Sequence, residues 1–119
     1  MEFPKTLFSG YHGSCHCQGI AVDEKNGYVY YSFTTKLVKA KMNGEIVGSV
    51  EGLIGHLGCI AFNEADGYVY GSLEYKATEK FYIAVIDVEK ITGMDIDYKT
   101  PGVMTTMYME EVVKDYKDE

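Results

Sequence analysis

Residues 16–32 of the chain read HCQGIAVDEKNGYVYYS, and residues 56–72 read HLGCIAFNEADGYVYGS, so that one stretch occurs twice. Aligned without a gap as far as Lys36 and Lys76, the copies share ten of 21 residues: His, Ile, Ala, Glu, Gly, Tyr, Val, Tyr, Ser and Lys. A period of about forty residues built from short strands is typical of β-propeller blades. The repeat therefore predicts an all-β protein that contains two four-stranded antiparallel blades.

The first copy and the residues after it have the pattern of four antiparallel strands. Gly19–Asp23 is a short apolar run, and Tyr28–Phe33 is rich in the aromatic and β-branched residues that favour strands. The Asn-Gly pair between them predicts a tight hairpin with positive φ at both central residues. Leu37–Met42 alternates apolar residues with lysine, which predicts a third strand with one buried face. Glu45–Val50 is the predicted fourth strand.

The second unit repeats the first two strands and then diverges. Its third strand is predicted at residues 81–88, and its fourth at residues 102–109. Between them lies a thirteen-residue excursion, residues 89–101, which carries the Gly and Pro of a loop. The second unit is therefore longer and less regular than the first.

Four segments are predicted in all. They are an N-terminal lead-in at residues 1–14, a first blade at 15–54, a second blade at 55–109 and a short acidic helix at 110–119. Propellers have typically 4–8 blades, so two blades form only a partial propeller. Either further copies supply the missing blades, for instance three chains giving six, or the chain is a fragment of a longer propeller. The irregular second unit favours the fragment.

Composition excludes several classes of partner. The chain of 119 residues has the length of one domain, and its net charge is −7. All eleven basic residues are lysine, so the bidentate arginine contacts typical of phosphate and guanine recognition are absent. We expect binding neither to nucleic acid nor to a membrane surface. Three cysteines, no long apolar run and no signal peptide predict a cytoplasmic protein with reduced thiols.

Four strings resemble a group of uncharacterised bacterial β-propeller proteins: HCQGI at residues 16–20, YYSFTT at 30–35, GHLG at 55–58 and YGSLEYK at 70–76. The resemblance covers the chain from about Cys15 to the tail. It implies a propeller fold and a longer relative with further blades, and it implies no particular activity. The chain is similar, more distantly, to NHL and gluconolactonase-like propellers, although their metal-ligand motifs are not recognisable in it.

His16 and His56 are the strongest candidates for metal binding or proton transfer. They hold the same position in each copy, just before the predicted innermost strand. In a propeller that position lies near the mouth of the central channel, where residues from successive blades converge. Two imidazoles there would hold a divalent metal or transfer a proton. The alternative is a repeated structural hydrogen bond between blades, which repetition also predicts.

A structural zinc site is a second hypothesis. His12 and Cys15 are spaced like one half of a zinc site, and His56 with Cys59 would supply the other half. Cys17 does not coincide with Cys59 at the forty-residue offset. Because buried thiols are common, ordinary packing competes with this hypothesis.

Other candidates for ligand binding lie in the same stretches. Gln18 follows His16 closely, and Glu74 follows the second strand of the second copy, so the predicted ligand-binding set is His16, Gln18, His56 and Glu74. Alternating tyrosines in the second strands would either stack on a sugar or pack blade against blade. These tyrosines are Tyr28, Tyr30, Tyr31, Tyr68 and Tyr70.

Two functions are compatible with the sequence. The first is a ligand-binding or scaffolding β-propeller module without catalysis of its own. The alternative is part of a metal-assisted propeller lyase or hydrolase acting on sugars or lactones, with His16 and His56 as metal ligands. No nucleophile elbow, phosphate loop or paired carboxylates point to particular catalytic residues. The sequence favours the ligand-binding or scaffolding module.

Overall fold

A computed structural model describes residues 6–10 and 16–117, and these residues form two β-sheets followed by one short helix. Sheet 1 begins with four antiparallel strands in chain order: β1 (Gly19–Asp23), β2 (Tyr28–Phe33), β3 (Lys36–Lys41) and β4 (Ile46–Glu51). These four strands match the predicted first unit, with ends that differ by one residue in β3 and β4.

Sheet 2 has the same antiparallel order. Its strands are β5 (His56–Asn63), β6 (Tyr68–Tyr75), β7 (Lys80–Asp87) and β9 (Met104–Tyr108). The predicted all-β class with two four-stranded antiparallel units and a short C-terminal helix is confirmed, and the two sheets do not close into a barrel. The predicted segment boundaries and the propeller itself stay predictions.

The loops that join the first two strands of each sheet are also alike. Gly27 and Gly67 have φ values of 77° and 76°, and each N–H donates to a carbonyl four residues earlier. The hairpin prediction is confirmed but its turn type is wrong, because Asn26 has no positive φ. The strand ends at Asp23, whose carboxylate accepts from the Asn26 N–H at 3.1 Å, and this leaves a four-residue loop.

The two sheets pack face to face around one core. Side chains that point to the same side of sheet 1 form its inner face, and they include Ala21, Tyr30, Ser32, Leu37 and Val50. The inner face of sheet 2 meets it and includes Leu57, Ile60, Phe62, Val69, Leu73, Ala84 and Ile86. Burial of this apolar area stabilises the pair at about 25 cal/mol per Å².

The inner faces approach most closely near the start of β1. The hydroxyl of Ser32, a fully buried residue, donates to the carbonyl oxygen of Gly58 at 2.6 Å. Gly58 lies in an irregularity of β5 between Leu57 and Ile60. A Cβ on Gly19 would stand 2.7 Å from the same carbonyl oxygen, so only glycine fits there.

Part of the second unit lies against sheet 1. The predicted excursion contains a two-residue strand, β8 (Ile96–Asp97), which pairs in parallel with β4 and becomes the fifth strand of sheet 1. The Ser49 N–H donates to the Gly93 carbonyl at 3.0 Å, and the Ser49 hydroxyl accepts from the Asp95 N–H at 2.9 Å. The sequence pattern gave no sign of β8, because two residues have no periodicity.

Two further segments, one before sheet 1 and one after sheet 2, pack on the sheets. Leu7, in the lead-in, packs with Met42 and Ile46 against a second buried cluster on sheet 1. Residues 6–10 contain no regular structure. The helix α1 (Glu110–Lys117) packs against β7 through the buried Val113. In the described part of the chain, no helix has the length and apolarity needed to cross a membrane.

The close approach of the sheets gives a direct test of this packing. We expect Gly19→Ala to lower the free energy of unfolding by about 1–3 kcal/mol, because the new methyl group meets the Gly58 carbonyl at 2.7 Å and the Ile60 nitrogen at 3.1 Å. Urea unfolding measures this change. The matched control is Gly93→Ala, whose Cβ would meet no atom within 4 Å. Equal midpoints for both variants would contradict the described docking.

Candidate functional site

The predicted ligand-binding residues lie at one end of the two sheets. His56 begins β5, and Glu74 lies directly opposite it on β6, so both side chains are on the same side of sheet 2. His56 is exposed and Glu74 is half-buried. Their pairing places an imidazole and a carboxylate on neighbouring strands of this sheet, directly opposite each other. The forty-residue repeat did not predict this arrangement.

Gln18 is connected to the same end through Thr34. The Gln18 side-chain amide donates to the Thr34 hydroxyl at 2.7 Å, and the Leu57 N–H donates to the Thr34 carbonyl at 2.8 Å. Thr34 has a φ of 50°, which is uncommon for a β-branched residue. Since Leu57 follows His56, the strained turn at Thr34 joins the ends of β1 and β5. We name His16, Gln18, His56 and Glu74, with Thr34, the rim.

His16 is exposed and lies two residues before Gln18. The described residues contain no group of three His, Cys, Asp or Glu side chains arranged to hold a metal ion. The metal role of His16 and His56, with the lyase or hydrolase that depends on it, therefore stays a prediction. His12 and Cys15, which complete the zinc hypothesis, lie outside the described residues, while Cys17 and Cys59 are exposed free thiols.

A cleft that the sequence did not predict lies at the opposite end, between the inner faces. Its volume is about 390 Å³, and an adjoining cleft of about 360 Å³ shares Asp23 and Phe62 with it. We call the larger one the inter-sheet cleft. Its lining comes from both sheets and from the turn after β7: Asp23, Asn26, Tyr28, Tyr30, Lys39, Phe62, Gly67, Val88 and Glu89.

Lys39 brings a cation into this cleft. Only 8% of the residue is exposed; its ammonium donates to the Val88 carbonyl at 3.0 Å and lies 4.3 Å from the centre of the Tyr28 ring. Burial lowers the pKa of Lys39, while Glu89, Asp23 and Asp87 oppose that change. A buried lysine among carboxylates is a feature that often marks a binding site.

Asp23 and Tyr30 complete the polar lining. The Asp23 carboxylate accepts from the Asn26 N–H at 3.1 Å and from its side-chain amide at 2.8 Å. Burial, and then the charge of Asp23, raises the pKa of Tyr30, so this phenol keeps its proton at neutral pH. Its ring stacks on Phe62 with a centroid distance of 6.1 Å. The cleft therefore holds donors, acceptors and aromatic rings together.

Sequence reasoning missed this site for one reason. The alternation of apolar residues and lysine in β3 predicted one buried face, whereas Leu37, Val38, Lys39 and Ala40 are all buried. That prediction was wrong because the segment around Val88 covers Lys39. Val88 lies 49 residues further along the chain, so the local sequence pattern does not show this contact. The only signal was a lysine at the inward position of a strand.

The tyrosines divide among different environments. Tyr28 and Tyr30 line the inter-sheet cleft, and Tyr31 is buried on the other side of sheet 1. Tyr68 and Tyr70 lie on the uncovered side of sheet 2. Tyr31 therefore serves packing, and the interpretation that tyrosines stack on a sugar stays a prediction.

Comparison with known proteins identifies no family: no model of a protein family matches the chain, and no curated protein matches it either. The resemblance to bacterial β-propeller proteins remains a prediction that rests on the quoted strings. The geometry of the rim and of the cleft is therefore the basis for a functional assignment.

The buried lysine predicts a pH effect. Because burial lowers its pKa in the folded chain, the unfolded chain binds more protons between that lowered pKa and the ordinary value of 10.5. The contribution of Lys39 to the free energy of unfolding therefore rises with pH in this window. We expect the unaltered chain to gain stability relative to Lys39→Met as the pH rises from neutral toward 10.5. Urea unfolding at several pH values measures it, and a constant difference would refute it.

Proposed function

We propose that the chain is a ligand-binding segment of a β-propeller and that its ligand site is the inter-sheet cleft. The observation that carries the proposal is the buried ammonium of Lys39 facing an open cleft of about 390 Å³. Small-molecule sites have typically about 300–1,000 Å³ and combine apolar walls with a few fixed polar groups. The cleft has a volume in this range, and its lining combines aromatic rings with a larger share of polar groups.

The polar groups favour a ligand that both donates and accepts hydrogen bonds. Lys39 and the Tyr30 hydroxyl donate, whereas Asp23 and Glu89 accept. A hydroxyl group of a ligand does both, so a polyhydroxylated molecule satisfies all four groups. A ligand with donors alone would offer Lys39 no acceptor beyond the Val88 carbonyl.

The rings and the charge narrow the class further. The aromatic rings of Tyr28 and Phe62 line the same cleft, and such rings pack against the C–H faces of a sugar. Two carboxylates, Asp23 and Glu89, outnumber the ammonium of Lys39, and this balance disfavours an anion. A neutral carbohydrate of one or two rings is therefore the ligand class that we propose.

The propeller part of the proposal has separate support. The two sheets are equivalent strand by strand through β1–β3 and β5–β7, and they pack face to face as successive units. Propeller blades are four-stranded antiparallel sheets arranged around a channel. The cleft then lies between two blades, at the opposite end of the sheets from the rim.

Glucose and galactose, with inorganic phosphate as the anionic probe, test the ligand class. In a ¹H–¹⁵N NMR titration we expect a sugar to shift the amide signals of Asn26, Gly67 and Glu89, which line the cleft. Glu89→Ala removes a charged acceptor, which is worth about 1.5–3 kcal/mol, so the dissociation constant should rise about tenfold or more.

Glu110→Ala is the matched control, since Glu110 is also exposed but lies on α1, away from the cleft. It should leave the titration unchanged. Binding of phosphate in preference to both sugars would overturn the ligand class. Sugar-induced shifts that are confined to the rim, around His56 and Glu74, would overturn the location of the site.

A further inference from the structure

The side of sheet 2 that faces away from sheet 1 has an unusual composition for a surface. We call it the outer face of sheet 2; its members alternate with the inner-face residues along each strand. They include Ala61, Tyr68, Tyr70, Ser72, Ile83, Val85 and Met107. Met107 is 49% exposed and Tyr68 is 38% exposed. Apolar and aromatic residues therefore occur on all four strands of this face, and the polar His56, Asn63, Glu74 and Asp87 lie toward its two ends.

The same residue types are buried in sheet 1. At the forty-residue offset, Ala61, Tyr70 and Ser72 correspond to Ala21, Tyr30 and Ser32, which are 6%, 1% and 0% exposed. The latter three form the centre of the contact between the sheets. The outer face of sheet 2 therefore repeats a surface that sheet 1 uses for docking.

The correspondence extends across the sheet. In sheet 1 one row of paired residues runs from Ser32 through Leu37 to Val50, and all three are fully buried. In sheet 2 the equivalent row runs from Ser72 through Ile83 to Met107. The second and third positions of that row, Ile83 and Met107, are apolar like Leu37 and Val50. This similarity holds although sequence identity between the two repeats ends before β7.

A complementary surface is present on sheet 1. Ile20 and Val22, on its outer side, are 60% and 46% exposed. They correspond to Ile60 and Phe62, which pack on the inner face of sheet 1. The outer-side residues of β2 and β3, such as Tyr31 and Val38, are buried, and Leu7 of the described part of the lead-in packs against them. The innermost strand thus leaves an apolar edge open.

We propose that the outer face of sheet 2 docks onto the outer face of sheet 1, around Ile20 and Val22, of a second copy of this chain. In this contact the two outer faces pack on each other in the same way as the two inner faces do within one chain. Tyr70 then packs on Val22 of the second copy, as Tyr30 packs on Phe62.

One residue difference between the two sequence repeats makes the intermolecular contact wider than the contact within one chain. Cys59 occupies the position of Gly19, where a Cβ would stand 2.7 Å from the Gly58 carbonyl. The second copy must therefore lie further from the start of β5 than sheet 2 lies from the start of β1. The docking uses different surfaces on the two copies, so it leads to a ring if the rotation closes.

The mass in solution, followed by light scattering on a size-exclusion column, tests the contact. We expect the unaltered chain to associate with increasing concentration. Met107→Lys places a charge in the outer face of sheet 2 and should weaken association at least tenfold. Met94→Lys is the matched control, because Met94 is 53% exposed and lies outside both surfaces. It should associate like the unaltered chain.

A second variant separates head-to-tail docking from a symmetric contact. Val22→Lys alters only the sheet 1 surface and should weaken association as much as Met107→Lys does. Since each variant keeps one intact surface, an equimolar mixture should form a one-to-one dimer that grows no further. Met107 lies outside the inter-sheet cleft, so sugar titration of Met107→Lys tests the proposed function separately.

Three results would overturn the proposal. One is a chain that stays monomeric at every concentration, and another is an equal loss of association in Met94→Lys and Met107→Lys. The third is association that Met107→Lys abolishes and Val22→Lys leaves unchanged, which would indicate that two outer faces of sheet 2 meet each other. Circular dichroism of each variant shows that the sheets are retained.

Discussion

The packing of one β-sheet on the other is the constraint on which the rest of this structure depends. At one end, backbone meets backbone: Gly19 has no room for a side chain, and the Ser32 hydroxyl donates to the Gly58 carbonyl at 2.6 Å. At the other end, the stacked rings of Tyr30 and Phe62 have centroids 6.1 Å apart. Small residues at one end and large ones at the other give a wedge, and the wide side of that wedge is the inter-sheet cleft.

The segment after β7 ties the two units together a second time. It adds β8 to sheet 1, and the Val88 carbonyl accepts the ammonium of Lys39. Both units therefore contribute to the same core and to the same cleft, and we expect them to unfold as one body. A buried lysine retained in this position costs desolvation energy, which the Val88 carbonyl, the Tyr28 ring and nearby carboxylates offset in part. Such a cost is usual where a binding site has to be polar.

The rim and the cleft differ in how far they follow from local sequence. His16 and His56 were found because the repeat places them in equivalent positions, and they do lie at the same end of the sheets. The pairing of His56 with Glu74 required the register of β5 on β6, which shifts between Leu57 and Ile60. The cleft was not found, because its lining combines β1, β2, β3, β5 and the turn after β7, and its first and last residues, Asp23 and Glu89, are 66 residues apart.

The sequence by itself determined the two sheets, their strand order and the loops between their first strands, because period, alternation and turn residues act over a few residues. Only the tertiary structure decided which side of each sheet is covered. Ala21, Tyr30 and Ser32 recur unchanged as Ala61, Tyr70 and Ser72, yet the first three are buried and the others are not. The reason is that burial depends on a neighbouring sheet, and a repeated sequence specifies a surface without supplying the partner that covers it.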